Sequence, residues 1–384
     1  MSSNLTFSLI ESIQDIRALE WSRVINTAHP FIQYDFLFSL EKSAATTLDS
    51  GWSPKHLIIK LNNELVGLMP LYLKSHSYGE YVFDFQWANA YHQSGLAYYP
   101  KLVSAIPFTP ATGQRIYLDE SINNQRTYQE ITDFIREFCL QQDISSWHLL
   151  FSAVAESKSL SAANTIARLG MQYHWFNKSY LDFEHFLSAC KLKHRKNIKR
   201  ERRVVKQQGF NISIINGEDI SDLLWQQFFI FYQKNYIKRS GNYGYLSELF
   251  FKMLGNSMPE TIVMAVASLN NQVVATSLFF KDEKTLYGRY WGASQEFEFL
   301  HFELCYYQGI EYCIRNKLDK FDAGAQGEHK IKRGFKPIKT YSNHTIIHPQ
   351  FESAIRHFVG QEQIYIEQSI QELQQKLPFK DSQA

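Results

Sequence analysis

The sequence predicts a mixed α/β fold used twice in tandem, and three observations carry that expectation. Strand-like apolar runs alternate with amphipathic helical runs along the whole chain. The order of those runs in the second half repeats the order in the first, and both halves place an Asn-Asn hairpin turn at the same point. At 384 residues the chain exceeds one ordinary domain, and a hydrophobic content of 45% is ample for two cores. The expected domains are residues 1–181 and residues 182–384, the second opening on a basic linking helix.

In the first half a strand over 7–10 precedes helices over 12–26 and 31–44. Strands over 57–60 and 65–68 flank the turn Asn62-Asn63-Glu64, and strands over 70–73 and 81–87 follow. Pro100, Pro107, Pro110 and Gly95 make 88–113 an extended loop. A helix over 125–141, a strand over 147–151, a helix over 162–169 and a strand over 171–180 complete the set. In the second half a strand over 211–215 and helices over 223–236 and 245–254 precede strands over 261–268, 273–280 and 285–291. A helix to Asn316, strands over 320–322 and 341–347 and an amphipathic helix over 351–377 close the chain. Residues 61–67 face 269–275 through the shared turn, and Phe85-Gln86-Trp87-Ala88 is expected to face Arg289-Tyr290-Trp291-Gly292. The element order resembles the acetyltransferase-type plan, so GNAT-like domains are expected.

The formal charge of +2 leaves any electrostatic signal local. Residues 191–206 hold it: no Gly or Pro interrupts them, Glu201 is the single acid, and His194, Ile198 and Val205 form a narrow apolar stripe with Leu187 just upstream. One reading is a solvated basic face; the other is a face for a phosphate-bearing ligand, an RNA backbone or an anionic lipid surface. Cys139, Cys190, Cys305 and Cys313 are scattered and read as reduced thiols. The N-terminus has no signal-peptide pattern, and no run approaches the ~20 apolar residues that span a bilayer, so a soluble, cytoplasmic protein is expected. Gly-x-Ser-x-Gly, P-loop, His-Glu-x-x-His and Rossmann patterns are missing.

The chemistry is expected between Leu286 and His344. Arg289-Tyr290-Trp291-Gly292-Ala293-Ser294 sits where a coenzyme A diphosphate turn would lie, but it carries one Gly and ends in Ser; a plain strand end competes with that reading. Glu303 and His301 on the next helix are candidate general bases for an attacking amine, against ordinary helix-surface positions. Glu328, His329, Lys330, Lys332 and Arg333 form the densest mixed-sign group, and Gly324, Gly327 and Gly334 let the backbone approach a ligand. Glu328 and His329 are adjacent and ill placed to share one metal ion with His344, so no metal is expected.

The segments Tyr287 to Ala293, Leu300 to Glu311 and Gly324 to Lys330, with Pro100-Lys101-Leu102 and Ile106 to Gly113 in the first half, resemble the FemAB-like "peptidoglycan biosynthesis/recognition" proteins. The resemblance implies two acetyltransferase-like domains. Better-studied relatives move an amino acid from aminoacyl-tRNA onto the amine of a peptidoglycan precursor. Their Phe-Lys-x-x-Phe-Gly signature is similar to Ile331 to Lys336, matching at Lys332 and Phe335 and departing at Ile331 and Lys336; Lys332 is carried over on that basis. The long helical arm of some relatives is missing. The resulting expectation is an N-acyltransferase joining an acyl or aminoacyl group to an amine acceptor, with acyl-CoA or aminoacyl-tRNA as co-substrate and no permanently bound cofactor. The expected catalytic residues are Glu303, Glu328, His329 and Lys332. Arg289, Tyr290, Trp291, Gln326, Arg333, Tyr91 and Lys101 are expected to bind substrate, and the 191–206 helix to contact tRNA. The alternative is a non-catalytic module that binds a cell-wall precursor or RNA.

Overall fold

The computed structural model describes residues 5–325 and 327–380. The chain clusters into two compact units, one of Met1–Thr27, Phe31–Met171 and Lys339–Gln368, the other of Ala28–Pro30, Gln172–Ile338 and Ser369–Ala384. The first unit opens with β1 (Leu5–Ile10), α1 (Ala18–Ile25) and α2 (Tyr34–Lys42). Then come β2 (Trp52–Pro54), β3 (His56–Leu61), β4 (Glu64–Met69), β5 (Tyr72–Lys74), α3 (Phe85–Gln93), β6 (Lys101–Ser104), β7 (Tyr117–Leu118), α4 (Gln125–Gln141), β8 (Ser146–Ser152) and α5 (Val154–Ala162). β9 (Ile166–Phe176) leaves it for the second unit. There follow α6 (Phe183–Ala189), α7 (Leu192–Gln207), β10 (Asn211–Asn216), α8 (Asp222–Ser240), α9 (Glu248–Ser257), β11 (Ile262–Leu269), β12 (Gln272–Lys281) and β13 (Thr285–Ala293). Next, α10 (Leu300–Phe302) runs through a π-helical turn (Glu303–Tyr307) into α11 (Gln308–Arg315), before β14 (Lys320–Asp322) and a 3₁₀ turn (Glu328–Arg333). β15 (Lys336–Ile346) returns to the first unit and α12 (Pro349–Gln375) follows.

Within the first unit β1, β3, β4 and β7 form one antiparallel sheet, and β15, β8, β6, β5 and β2 lie side by side in another, in which β6 and β8 are parallel. α4 is helical because Asn124 caps it by accepting from the Thr127 N–H, and because Tyr128, Ile131, Ile135 and Cys139 recur at helical spacing. That stripe packs on Leu57, Ile59, Met69, Leu102, Trp147 and Leu149. Each such buried side chain contributes roughly 1.5–3 kcal/mol.

In the second unit the strand order is β10-β11-β12-β13-β14-β9, antiparallel except for the parallel pair β13–β14. α8 and α9 cover one face, where Tyr232 and Phe251 meet the Tyr290 ring edge-on at 5.6 and 5.3 Å. α8 comes so close that a Cβ on Gly292 would lie 2.2 Å from the Phe231 backbone, so no other residue fits there.

The shared turn is present in both units. Asn62 and Asn63 (φ 52° and 68°) and Asn270 and Asn271 (φ 49° and 62°) are all left-handed, the geometry a two-residue hairpin needs. The other expected equivalence fails: Phe85-Gln86-Trp87-Ala88 is helical in α3, whereas Arg289-Tyr290-Trp291-Gly292 is strand in β13. The strand expected over 81–87 is replaced by a bend and α3, because Trp87 and Tyr91 bury one helical turn apart against Tyr98 and Ile355. The segment 88–113 is accordingly not one loop but holds the end of α3 and β6. The helix expected over 162–169 lies earlier, as α5, and stops before Asn164, whose φ of 62° ends it and lets β9 start at Ile166.

Candidate active site

The site grows from the point where two strands part. β13 pairs with β14 only through Thr285↔Lys320, Leu286↔Phe321 and Tyr287↔Asp322; β14 then ends while β13 continues to Ala293. On its other side β13 jumps register against β12, from Leu278↔Tyr290 to Phe279↔Gly288, so Arg289 is the extra residue of a β-bulge. Bulges bend the strand and re-aim side chains. Here the bulge sends Arg289 onto Asp322 with contacts of 2.8 and 3.2 Å, and Asp322 also accepts the Gly324 N–H at 2.9 Å. Burial pushes the Asp322 carboxyl up, but Arg289, His174 and the Gly324 N–H outweigh it and hold the group well below the usual carboxylate range. The bulge therefore converts the expected diphosphate turn into strand, with its arginine committed to an internal ion pair.

After β14 the chain folds into the 3₁₀ turn. Such a turn eclipses i and i+3, and Lys330 and Arg333 both point inward while Glu328 and Lys332 stay exposed. The Lys330 ammonium donates to the Ala323 carbonyl at 2.7 Å and the Gly324 carbonyl at 2.9 Å, at the end of β14. Burial lowers its pKa to about 8, with Arg289 adding repulsion and Asp322 opposing. Arg333 donates to Glu201 of α7 at 2.8 Å and to the Tyr307 hydroxyl at 3.1 Å, with its guanidinium 3.5 Å from the Phe302 ring centre.

The π-helical turn supplies the facing wall. It buries Glu303, Leu304, Tyr306 and Tyr307 together, which an unbroken α-helix would spread around its circumference. Tyr306 shares a 2.9 Å hydrogen bond with His329 Nε2, and the His301 ring stands edge-on to Trp291 at 5.2 Å and to Tyr306 at 5.4 Å. Burial, reinforced by Arg333 and Lys330, lowers the His329 pKa to about 4; burial and the Arg239 charge lower that of His301 to about 3. Both imidazoles are neutral at neutral pH. Glu303 is the anchor of the turn: Arg202 of α7 holds it through Nη2 at 2.9 Å and Nε at 3.1 Å, Gln308 donates at 2.8 Å, and Arg202 also reaches Glu311 at 2.6 Å.

Of the expected residues, the structure thus joins Trp291, His329 and Arg333 through the rings of His301, Tyr306 and Phe302, with Glu303 buried behind them as an ion-pair member. Tyr290 faces α8 and α9 as a core aromatic. Gln326 lies outside the described residues. Tyr91 and Lys101 belong to the first unit, in a buried polar network of their own. Lys101 donates to Ser77 and Glu80 at 2.8 Å each and to Asp84, which also accepts from Tyr98 at 2.6 Å. Tyr98 meets His148 Nε2 at 3.3 Å, and His148 Nδ1 lies 2.5 Å from His344 Nδ1. Tyr91 packs on Tyr98 and Phe351 beside it. The sequence places Lys330 in its charged group but not among the expected catalytic or binding residues, and Tyr306 and Asp322 are missing from those as well. The spacing of Lys330 and Arg333, three apart between glycines, makes them one face only once the segment is known to be a 3₁₀ turn.

A parallel strand pair that separates beside a bulge, in a chain built from two such units, defines a tandem GNAT-fold protein. The FemAB-like family model, described as peptidoglycan biosynthesis/recognition, matches residues 12–381, and the chain belongs to that family. Among solved structures the chain is similar to FemX, with a TM-score of 0.53 and 12% identity over 89% of this chain and 98% of that one. It also matches a conserved Bacteroides thetaiotaomicron protein of unknown function (TM-score 0.50, 10% identity, 88% and 100% covered). A tandem GNAT protein from the clavulanic acid biosynthesis pathway matches with a TM-score of 0.47 and 9% identity over 90% and 99%. No curated protein matches in sequence.

Proposed function

We propose that this protein is an N-acyltransferase that joins an activated acyl or aminoacyl group to the amine of a peptidoglycan-related acceptor, and that Lys330 is its central catalytic residue. One observation carries the reading. An ammonium has three N–H donors; two of Lys330's are taken by the Ala323 and Gly324 carbonyls, and the third is left for an acyl oxygen that enters beside the end of β14. As the amine attacks the carbonyl carbon, the C–O double bond becomes an oxyanion, and a preorganised cation beside it stabilises that charge. The amine's proton passes to neutral His329, whose Nε2 is oriented by Tyr306. Collapse of the intermediate re-forms the carbonyl and expels the donor's oxygen or sulfur, which takes up a proton. Trp291 and His301 line the approach.

Donor chemistry follows from the bulge. Arg289 is held by Asp322, α10 is only three residues long, and the segment before it carries Glu296 and Glu298, which oppose a diphosphate. The exposed cations of α7 suit a polyphosphate backbone instead, so aminoacyl-tRNA is the preferred donor. The same cations favour a second reading, an RNA-binding module without turnover. Candidate amine acceptors incubated with charged tRNAs or acyl-CoAs and read by mass spectrometry test the proposal. Product that disappears in Lys330→Ala supports it; full yield in that variant, or saturable binding with no product, overturns it.

A further inference from the structure

α8 is apolar on two faces. Its inner face buries Leu224, Trp225, Phe228, Phe231 and Tyr232 against the sheet. Its outer face carries Leu223, Ile230 and Ile237, which are 63%, 50% and 45% exposed. A one-sided stripe explains an ordinary surface helix, whereas a second stripe calls for a second partner. The outer residues are seven apart, so they lie close to one line along the helix, one apolar contact every two turns with Gln226, Gln227, Gln233 and Lys234 between them. Ile230 stands midway between the other two.

The charges along α8 are as ordered as the apolar line. Asp222 and, just before the helix, Glu218 and Asp219 are exposed and outside any ion pair among the described residues. Lys234, Lys238 and Arg239 occupy the other end; Lys238 reaches Glu296 of its own chain, and both of those groups remain largely exposed. The helix therefore runs from acid to base over about 28 Å, in the sense its macrodipole favours. A copy of the same helix laid antiparallel against it, with a two-fold axis at Ile230, brings the apolar line into register and sets Asp222 of each copy opposite Lys238 of the other. Ile230 meets Ile230, Leu223 meets Ile237, Gln226 meets Lys234 and Asp222 meets Lys238. A parallel copy would set acid against acid and base against base.

We propose that the outer face of α8 is a self-association surface on which two copies of this chain pair antiparallel about a two-fold axis at Ile230. Such a contact is isologous, as closed dimers are. Three apolar residues per copy fall short of the ~1,000 Å² that a permanent interface needs, so the pair is a weak, concentration-dependent one.

Sedimentation velocity on the full chain from about 1 to 200 micromolar tests this. The expected result is a shift from monomer to dimer across that range and its loss in Ile230→Asp, a change that exposed position tolerates. Ile230→Cys is expected to cross-link through residue 230 on mild oxidation, because the axis brings the two copies of that residue together. Cys139, Cys190 and Cys313 are buried, and the partly exposed Cys305 is replaced by Ser in that variant so that residue 230 carries the one accessible thiol among the described residues. A wild-type chain that stays monomeric at the highest concentration overturns the proposal. So does a dimer that survives Ile230→Asp, or an oxidised Ile230→Cys chain that stays uncrosslinked.

Discussion

In the proposed mechanism Lys330 is the residue on which the chemistry turns, and its titration makes that role measurable. If the ammonium form stabilises the oxyanion, activity is lost as pH rises through about 8, the value to which burial lowers Lys330. Lys330→Arg, if it retains activity, moves that limb upward because guanidinium stays charged; an alkaline rise in wild-type activity would contradict the assignment. Lys330→Ala should cost roughly 10²–10³ in kcat, the usual scale for removing one oxyanion donor. Lys332 is exposed, and its replacement by Ala should leave kcat near wild type in the same assay. The sequence showed the charged, glycine-bounded segment that holds both lysines. It did not show which of them turns inward, because that is decided by the eclipsed geometry of a 3₁₀ turn and not by residue type.

At the scale of elements, the π-helical turn and α7 form one device. Adjacent residues of α7 reach two different parts of the wall, Glu201 to Arg333 of the 3₁₀ turn and Arg202 to Glu303 of the π-helical turn. Glu303→Ala should therefore lower stability by about 2–3 kcal/mol in denaturant unfolding, the scale of a hydrogen bond to a charged group. Glu303→Gln keeps shape and hydrogen bonding, and if Glu303 positions the wall it should retain transfer; loss of activity with unchanged stability would make it a base instead. The His148–His344 pair, on facing positions of β8 and β15, predicts acid sensitivity. Burial, with repulsion from Lys101 and Arg168 on both rings and from His148 on His344, holds both well below 6.5, so below that pH the unfolded chain binds more protons and stability falls. Thermal midpoints measured from pH 7.5 to 4.5 should drop, and less steeply in a His148→Leu/His344→Leu double variant. α4, β14 and both Asn-Asn hairpins were legible from periodicity and turn chemistry. α3 was not, because the aromatics at 81, 83, 85 and 87 that lead into it alternate with a period of two, and burial of Trp87 and Tyr91 against Tyr98 and Ile355 favours the helix from Phe85.

For the whole molecule, the two-unit plan and the family were legible in the long motifs, while the segments each unit draws from distant parts of the chain were not, since no local pattern encodes them. No helix among the described residues is long and apolar enough to cross a membrane. If α7 receives a polyphosphate, binding of tRNA should weaken steeply with salt, and Lys196→Ala or Arg203→Ala should each reduce the log–log slope by about 1. An unchanged slope would remove α7 from the interface. The buried network of the first unit has a different consequence. Hydrogen bonds link Lys101, Asp84, Tyr98, His148, His344 and Ser342 in succession. The two imidazoles meet Nδ1 to Nδ1, so one ring must carry its proton on that nitrogen and the other on Nε2. The rings are thus locked into opposite tautomers, and neither can exchange without the other. The pair stores one of two polarities, and nitrogen NMR of the folded protein should resolve two unlike histidines where composition alone would count two alike.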